Sequence, residues 1–338
     1  MRRTILLAAA VLVCGFAVSA QWVQQKVAGL EAKTSFRGLS VVNAKVIWAS
    51  GTGGTVIRTI NGGKRWDVIR VPGAQGLDFR DVEAFDAKTA YVLSIGNGGA
   101  SRIYKTTDGG KTWELQFQNA DEKAFYDAVA CWNATHCVAM SDPVDGKFRL
   151  IATEDGKAWK PLPADGLPQA KPGEAAFAAS GTCLIAVDKN LLYLVTGGSD
   201  ARVFHSHNGG KSWGAANTPM VKGTSGSGIF SIAMSDAHNG IIVGGNYEKP
   251  TAAGDNVFAT SDGGHSWKPL TGGLGYRSGV AFINAKTVIA VGALGSDISN
   301  DGGATWKEVG RESLNAVAAR GRTSVWAVGD AAGVYKLK

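Results

Sequence analysis

The sequence predicts an all-β protein, a seven-bladed β-propeller, on three observations. A short phrase occurs six times: a hydroxyl residue, an Asp or Asn two positions on, one or two glycines and a closing tryptophan. Its tryptophans lie 47, 46, 54, 54 and 39 residues apart, a period typical of propeller blades. The 338 residues include 46 glycines, which suits many short strands joined by tight turns, and no sustained helical periodicity follows the N-terminus.

Each phrase predicts the turn of a β-hairpin. The Asp or Asn oxygen can accept hydrogen bonds from backbone N–H groups further along the turn, and the hydroxyl can join the same network. Glycines adopt the positive φ values that such a turn needs, and the tryptophan returns into the sheet. None of this requires a ligand, so we interpret the phrases as structural. The six copies span 59–66, 106–113, 153–159, 206–213, 260–267 and 299–306.

Seven segments, rather than six, align as first strands of blades. The seventh unit ends after its third strand, without the phrase or a fourth strand. Residues 21–28 are similar to the segment that follows the second phrase, so we predict that they supply the missing strand. Closing the ring in this way removes exposed sheet edges. The seven predicted first strands begin at Phe36, Phe79, Phe125, Gly173, Ile229, Tyr276 and Ser313.

The N-terminal segment predicts export to the periplasm or the cell exterior. Arg2 and Arg3 precede an apolar run and a small-residue site, so we expect a signal peptide over 1–20 and a single propeller domain over 21–338. The arginine pair also permits twin-arginine export. The apolar run is too short to span a bilayer.

The composition limits the classes of binding partner. Without Arg2 and Arg3, 33 basic residues face 28 acidic ones, a net charge of +5 that favours anionic partners. No basic run is interleaved with aromatics, so nucleic acid is not an expected partner. We expect a monomer without a cofactor.

The cysteines and histidines allow few metal or redox roles. Cys131 and Cys137 flank a predicted turn, and a disulfide between them is one interpretation; three buried thiols, with Cys183, are the other. Five histidines show no metal-ligand spacing beyond His205 and His207, so we interpret them as solvent-facing and predict no metal site.

The loops between second and third strands vary most and lie opposite the phrases. Loops on a rigid scaffold commonly carry binding, so this face is the predicted site. Asp142 lies in the loop of blade three, and Asn246 and Tyr247 lie in the long insertion of blade five.

Arginines strengthen the prediction for this face. Arg37, Arg80 and Arg277 align at the start of first strands, near the channel mouth, with Tyr126 and Glu174 aligned at the same position in blades three and four. Three guanidiniums there would bind carboxylate, phosphate or sulfate. The alternative is structural: Arg37 and Arg80 pair with nearby acids such as Asp81 and Asp127.

The phrase from Thr106 to Trp113 fits S/T-x-D-x-G-x-T/S-W at every position. The repeat resembles the Asp-box, or bacterial neuraminidase repeat, of sialidases, some endoglucanases, sortilin-type receptors and photosystem II assembly factors. The whole predicted propeller is similar to the exported photosystem II stability/assembly factor family. That resemblance implies a non-catalytic scaffold that holds a protein client on an arginine-rich face. Arg37, Arg80 and Arg277 are the residues to which that role carries over.

A more distant resemblance to sialidases gives the alternative, a propeller that binds or cleaves acidic glycans. Its catalytic candidates are Asp81, Tyr126, Asp127 and Glu174. Phe36-Arg37-Gly38-Leu39 lacks the proline of the sialidase signature, and sialidases have six blades. An enzyme, if there is one, would be a glycoside hydrolase.

Overall fold

The computed structural model describes residues 21–163, 166–272 and 274–338. Within them, 30 strands form seven sheets, joined by loops and one 3-10 turn at Gly98–Ala100. The first strands of successive blades contact one another in a closed ring. The seven-bladed propeller is therefore confirmed. The predicted signal peptide lies outside the described residues, among which no helix is long and apolar enough to cross a membrane.

Each blade is a four-stranded antiparallel sheet that runs outward from the central channel, and in blade five two further short strands extend the sheet to six. The first strand of the chain is β1 (Trp22–Gln24). Blades one to three contain β2 (Phe36–Val41), β3 (Ile47–Gly51), β4 (Thr55–Thr59), β5 (Asp67–Arg70), β6 (Phe79–Ala84), β7 (Ala90–Ser94), β8 (Arg102–Thr106), β9 (Glu114–Gln118), β10 (Tyr126–Asn133), β11 (His136–Val144), β12 (Lys147–Thr153) and β13 (Lys160–Pro161).

The remaining blades follow in chain order. After blade three come β14 (Glu174–Ala175), β15 (Leu184–Val187), β16 (Leu191–Val195), β17 (Gly197–Gly198), β18 (Arg202–Ser206) and β19 (Gly214–Asn217). Blade four consists of β15, β16, β18 and β19, whereas the short strands β14 and β17 join the sheet of blade five. Blades five to seven contain β20 (Ser227–Met234), β21 (Gly240–Asn246), β22 (Val257–Thr260), β23 (Lys268–Pro269), β24 (Gly279–Phe282), β25 (Val288–Gly292), β26 (Gly295–Ser299), β27 (Lys307–Gly310), β28 (Leu314–Ala319), β29 (Val325–Gly329) and β30 (Val334–Leu337).

The N-terminal strand closes the ring, as predicted. β1 pairs with β30 in blade seven, with Trp22 opposite Leu337 and Gln24 opposite Tyr335. Trp22 is buried, and its indole N–H donates to Ser296 Oγ at 2.8 Å in blade six. The first and last residues of the propeller are thus joined in one sheet, and that sheet is fastened to its neighbour.

The Asp-box turns are held by their own side chains. In the second copy, Thr106 Oγ1 accepts from Gly110 N at 2.9 Å and Asp108 Oδ1 accepts from Thr112 N at 3.0 Å. Gly110 has φ 87°, which a side-chained residue rarely adopts. In the other five copies a glycine N–H likewise donates to the hydroxyl oxygen. Where Asn replaces Asp, its oxygen makes the same turn contact, so the phrase needs an acceptor rather than a charge.

Blade four corrects one prediction. Its first strand is β15, which begins at Leu184 and not at Gly173. Glu174 and Ala175 instead form β14, which pairs with β17 on the sheet of blade five. The long connection between blades three and four contains an extended stretch at β14 that resembles a strand start in the sequence, although its partner is not in blade four.

A disulfide lies in blade three. Cys131 and Cys137 are opposite each other in the hairpin of β10 and β11, with their sulfurs 1.99 Å apart. Cys183 is buried at the start of blade four and is the free cysteine of the described residues.

Candidate binding face

The two ends of the propeller carry different connections. On one end, the loop from β3 to β4 contacts the connection between blades, since Gly54 N donates to Leu77 O at 3.0 Å. On the other end, each Asp-box turn contacts the turn between first and second strands, as Gly62 N donates to Lys45 O at 2.9 Å. The predicted site residues of the loops therefore lie on the face opposite the Asp-boxes.

Arg37 and Arg80 occupy equivalent positions in blades one and two, as predicted. Each sits in a bulge at the start of its first strand, between the paired residues Phe36 and Gly38 in β2 and between Phe79 and Asp81 in β6. In blade three, the bulged residue is Asp127 rather than Tyr126. The predicted register for Tyr126 is therefore wrong by one residue, because the aromatic that aligns with Phe36 is Tyr126 itself and not Phe125.

Arg277 does not join the other two arginines. It lies just before β24, one position earlier than the residue equivalent to Arg37. That residue is Ser278, whose backbone N–H donates to Val291 O at the start of the blade. Its guanidinium is buried and donates from Nε to Asp297 Oδ2 at 2.8 Å. Arg277 is thus an internal ion pair of blade six, and the predicted cluster of three arginines reduces to two.

A segment of the chain crosses the channel mouth between these arginines. Residues 176–181, here called the crossing segment, precede β15 and are largely buried. Arg80 Nη1 donates to Ala178 O at 3.2 Å, and Arg37 Nη1 donates to Ala179 O at 3.4 Å. Ser180 Oγ reaches Ser278 O at 2.8 Å on blade six. The segment therefore links first strands from several blades and closes the channel on this face.

The two arginines retain unused hydrogen-bonding capacity. Arg80 Nε donates to Asp78 Oδ2 at 2.8 Å, and 29% of the Arg80 side chain is exposed. The structural alternative expected Arg80 to pair with an acid such as Asp81 or Asp127, but the ion pair that forms is with Asp78. Burial, and then the neighbouring Arg80, lowers the pKa of Arg37, which makes no ion pair with a described residue. A guanidinium offers five N–H donors, so Arg37 and Arg80 both have donors left to bind an anion.

Aromatic side chains adjoin the arginines. Phe177 of the crossing segment stacks on Phe230, with centroids 3.8 Å apart, and Phe230 also contacts Tyr276 edge-on at 4.8 Å. Tyr276 lies beside Arg37. Tyr247 extends the cluster into solvent, 49% exposed, in the insertion of blade five. The set is named the arginine–aromatic face: Arg37, Arg80, Phe177, Phe230, Tyr247 and Tyr276.

Of this face, the sequence predicted Arg37, Arg80 and Tyr247 as binding residues. It assigned no binding role to Phe177, Phe230 or Tyr276, since they come from three different segments that no local pattern connects. Asn246 is also on this side, where its Oδ1 accepts from Glu248 N at 2.8 Å and shapes the turn that presents Tyr247. Asp142 accepts from Ala176 N at 2.7 Å and so anchors the crossing segment.

Three aspartates lie beneath the crossing segment. Asp81 is buried and accepts from Val82 N and Val129 N, both at 2.8 Å, which links blades two and three. Burial raises the pKa of Asp81 to about 7 and that of Asp142 to about 6. Burial, followed by the nearby Asp142, raises the pKa of Asp127 well above its ordinary value. Asp127 Oδ2 has no hydrogen-bond partner among the described residues.

Asp127→Asn is expected to reduce the loss of stability that accompanies a rise in pH above about 4, the ordinary pKa of an aspartate. A carboxyl whose folded pKa exceeds its unfolded value, about 3.9, stabilises the fold most at low pH. That contribution is lost as pH rises through the folded pKa, whereas asparagine, close in shape to the protonated acid, does not titrate. Melting temperatures across this range should therefore fall more steeply for the wild type. Asp145→Asn, at an exposed loop position, is the control, and a difference between wild type and Asp127→Asn that does not vary with pH contradicts the account.

The predicted glycosidase residues do not share an exposed cleft among the described residues. Asp81 and Asp127 are 5% and 1% exposed. Tyr126 is buried against Phe117, and burial raises the pKa of its hydroxyl to about 12. Glu174 was predicted at the start of a first strand. It lies outside blade four and forms a buried ion pair with Arg202. Asp81 joins blade two to blade three, and Glu174 joins the long connection before blade four to β18, so both have structural contacts in the ring.

Fold and face together define a seven-bladed Asp-box propeller with a charged and aromatic surface over its closed channel. Residues 8–269 match the family described as photosynthesis system II assembly factor YCF48, and the chain belongs to this family. No curated protein matches the sequence.

Solved structures support the same fold at low sequence identity. A structure of YCF48 bound to D1 peptide is 13% identical with a TM-score of 0.65, covering 94% of this chain and 96% of that one. YCF48 from Cyanidioschyzon merolae is 18% identical with a TM-score of 0.63, covering 94% and 98%. The GH74 enzyme of Niastella koreensis is 16% identical with a TM-score of 0.64; the match covers 92% of this chain and 53% of that enzyme.

Proposed function

We propose that the protein is an exported, non-catalytic assembly factor that binds a protein client through its arginine–aromatic face. One observation carries the proposal: Arg37 and Arg80 lie side by side at the channel mouth, next to an aromatic cluster from three segments of the chain. Two neighbouring guanidiniums with spare donors favour a carboxylate, and the exposed ring of Tyr247, which packs against the buried Phe230 and Tyr276, favours an apolar side chain. An acidic, partly apolar peptide segment combines both.

The family and its relatives support a peptide as the ligand. The chain belongs to the family of an assembly factor, and a similar propeller structure is that of YCF48 with a D1 peptide. The closed channel leaves a surface rather than a deep pocket, which suits an extended segment lying across the face. Export rests on the N-terminal segment over 1–20, which would place the client in the periplasm or outside the cell.

The experiment is affinity capture from an envelope extract of the source organism, with wild type and Arg37→Gln/Arg80→Gln. The matched control is Arg65→Gln/Arg322→Gln, which removes the same charge from exposed positions on the Asp-box face. We expect one protein to be recovered with wild type and control and lost with the first variant. Its affinity should fall at least about tenfold, since a lost charged contact commonly costs about 2–5 kcal/mol.

Before the capture experiment, both variants must melt at the same temperature as the wild type, which shows that they are folded. Equal recovery of every bound protein by Arg37→Gln/Arg80→Gln contradicts the proposal. Turnover of fluorogenic glycosides, abolished by Asp127→Asn, would instead favour the glycoside hydrolase alternative, and binding of acidic sugars alone would favour a lectin.

A further inference from the structure

Three histidines converge on the Asp-box face, between blades four and five. His205 is in β18, His207 follows it in the fourth Asp-box, and His265 belongs to the fifth Asp-box. One ring nitrogen of each lies within 4.8 Å of the others. The ring centroids of His205 and His265 are 4.4 Å apart. The prediction that these histidines face solvent is wrong for His205, which is 7% exposed.

We propose that His205, His207 and His265 form a binding site for a divalent transition metal ion such as Zn²⁺. Nitrogens on one tetrahedral zinc, each at about 2.0–2.1 Å, are about 3.4 Å from one another. His207 and His265 have exposed side chains, so side-chain rotations that move their nitrogens by about 1 Å bring the three nitrogens to that spacing. The exposed side of the cluster leaves a fourth position for water.

The Asp-box turn fixes the protonation of His265. Its Nδ1 is 2.7 Å from the carbonyl oxygen of Asp262. A carbonyl can only accept, so Nδ1 carries the proton and the lone pair is on Nε2. Donation from the second ring nitrogen to a carbonyl is the arrangement that orients metal-bound imidazoles in proteins. Ser266 N donates to Asp262 Oδ1 at 3.0 Å, which fixes the turn and leaves the exposed ring of His265 able to make the small rotation described above.

His205 supplies the second, independent observation. Its Nδ1 is buried and has no hydrogen-bond partner in the described part of the chain. A buried polar atom without a partner is uncommon, and coordination through this nitrogen would satisfy it.

The donor set indicates the class of metal. Three imidazoles favour zinc, copper or nickel, whereas magnesium and calcium prefer oxygen ligands. The site is on the face opposite the arginine–aromatic face, so it is independent of the proposed client binding.

The test is titration calorimetry with Zn²⁺ on the full chain, purified without an affinity tag and stripped with a chelator. We expect one ion per chain, and no displacement by excess Mg²⁺. His207→Gln/His265→Gln should weaken binding at least about 100-fold, since it removes two ligands and loss of a mere supporting partner costs about 10–100-fold. His136→Gln/His238→Gln removes two exposed histidines of the same face and should bind as wild type does.

Co²⁺ gives a second measurement, because its visible spectrum reports nitrogen coordination directly. A spectrum of bound Co²⁺ that is lost in His207→Gln/His265→Gln and retained in His136→Gln/His238→Gln supports the site. The proposal is overturned when the first variant binds Zn²⁺ as tightly as wild type, or when both pairs of substitutions weaken binding equally.

Discussion

Glu174→Ala is expected to lower the free energy of unfolding by about 3–5 kcal/mol, because it leaves the buried Arg202 without its carboxylate. Arg202 Nε donates to Glu174 Oε1 at 2.9 Å, and both side chains are almost fully buried. Glu174 also accepts from Thr196 Oγ1 at 2.6 Å and from Lys171 N at 2.9 Å. It therefore fixes the chain just before the crossing segment, and urea unfolding is the measurement.

A double variant tests whether the loss of stability comes from the unpaired charge of Arg202. Glu174→Leu/Arg202→Met removes both charges, and replacement of a buried pair by apolar residues is often nearly neutral. We expect the double variant to recover most of the stability lost in Glu174→Ala. A Glu174→Ala protein within about 0.5 kcal/mol of wild type would show that the pair does not hold blade four.

Trp22→Ala is expected to cost a similar amount, about 3–5 kcal/mol, through loss of a buried indole at the seam of the ring. The indole packs between blades six and seven, where it also donates to Ser296. Deletion of 21–27 should go further, because it exposes the edge of β30 and invites pairing between molecules. Thermal melts and size-exclusion chromatography measure the two effects.

Ile60→Ala is the control for the tryptophan, since Ile60 is a large apolar residue that is 51% exposed in an Asp-box turn. It should change stability by no more than about 0.5 kcal/mol. A deletion protein that is monomeric and melts with wild type would mean that the ring does not depend on its N-terminal strand.

Local patterns predicted most of the fold. The Asp-box turns depend on hydrogen bonds between residues four apart, such as Asp108 and Thr112, and so are visible in the sequence. The closing strand was predictable too, because the seventh unit lacked a piece that residues 21–28 could supply.

The site was predictable only in part, because its geometry depends on distant contacts. The crossing segment is held by bonds such as that from Arg80 to Ala178, 98 residues away, which no periodicity encodes. Tyr126 was misplaced by one residue because Phe125 was aligned with Phe36 in its place. Arg277 was misplaced by one residue because it precedes β24, whose pairing shows no bulge, instead of lying in a bulge as Arg37 does. In a strand, such a shift sends the side chain to the opposite side.

The histidine cluster illustrates the same limit. His265 is 58 residues beyond His207 in the sequence, yet adjacent Asp-box turns bring the two rings to 5.5 Å. His207 is the second residue of its Asp-box copy and His265 is the sixth residue of the next copy, so a metal site can form across neighbouring turns without any local motif.

The most direct test of client binding through the arginine–aromatic face is site-specific photo-crosslinking in cells. A benzophenone amino acid replaces Tyr247 on that face in one strain and Ile60 on the Asp-box face in another; the two positions are 49% and 51% exposed. The account predicts a discrete crosslinked client from position 247 that is lost with Arg37→Gln/Arg80→Gln, and none from position 60. The same client crosslinked from position 60 and not from 247 would contradict it.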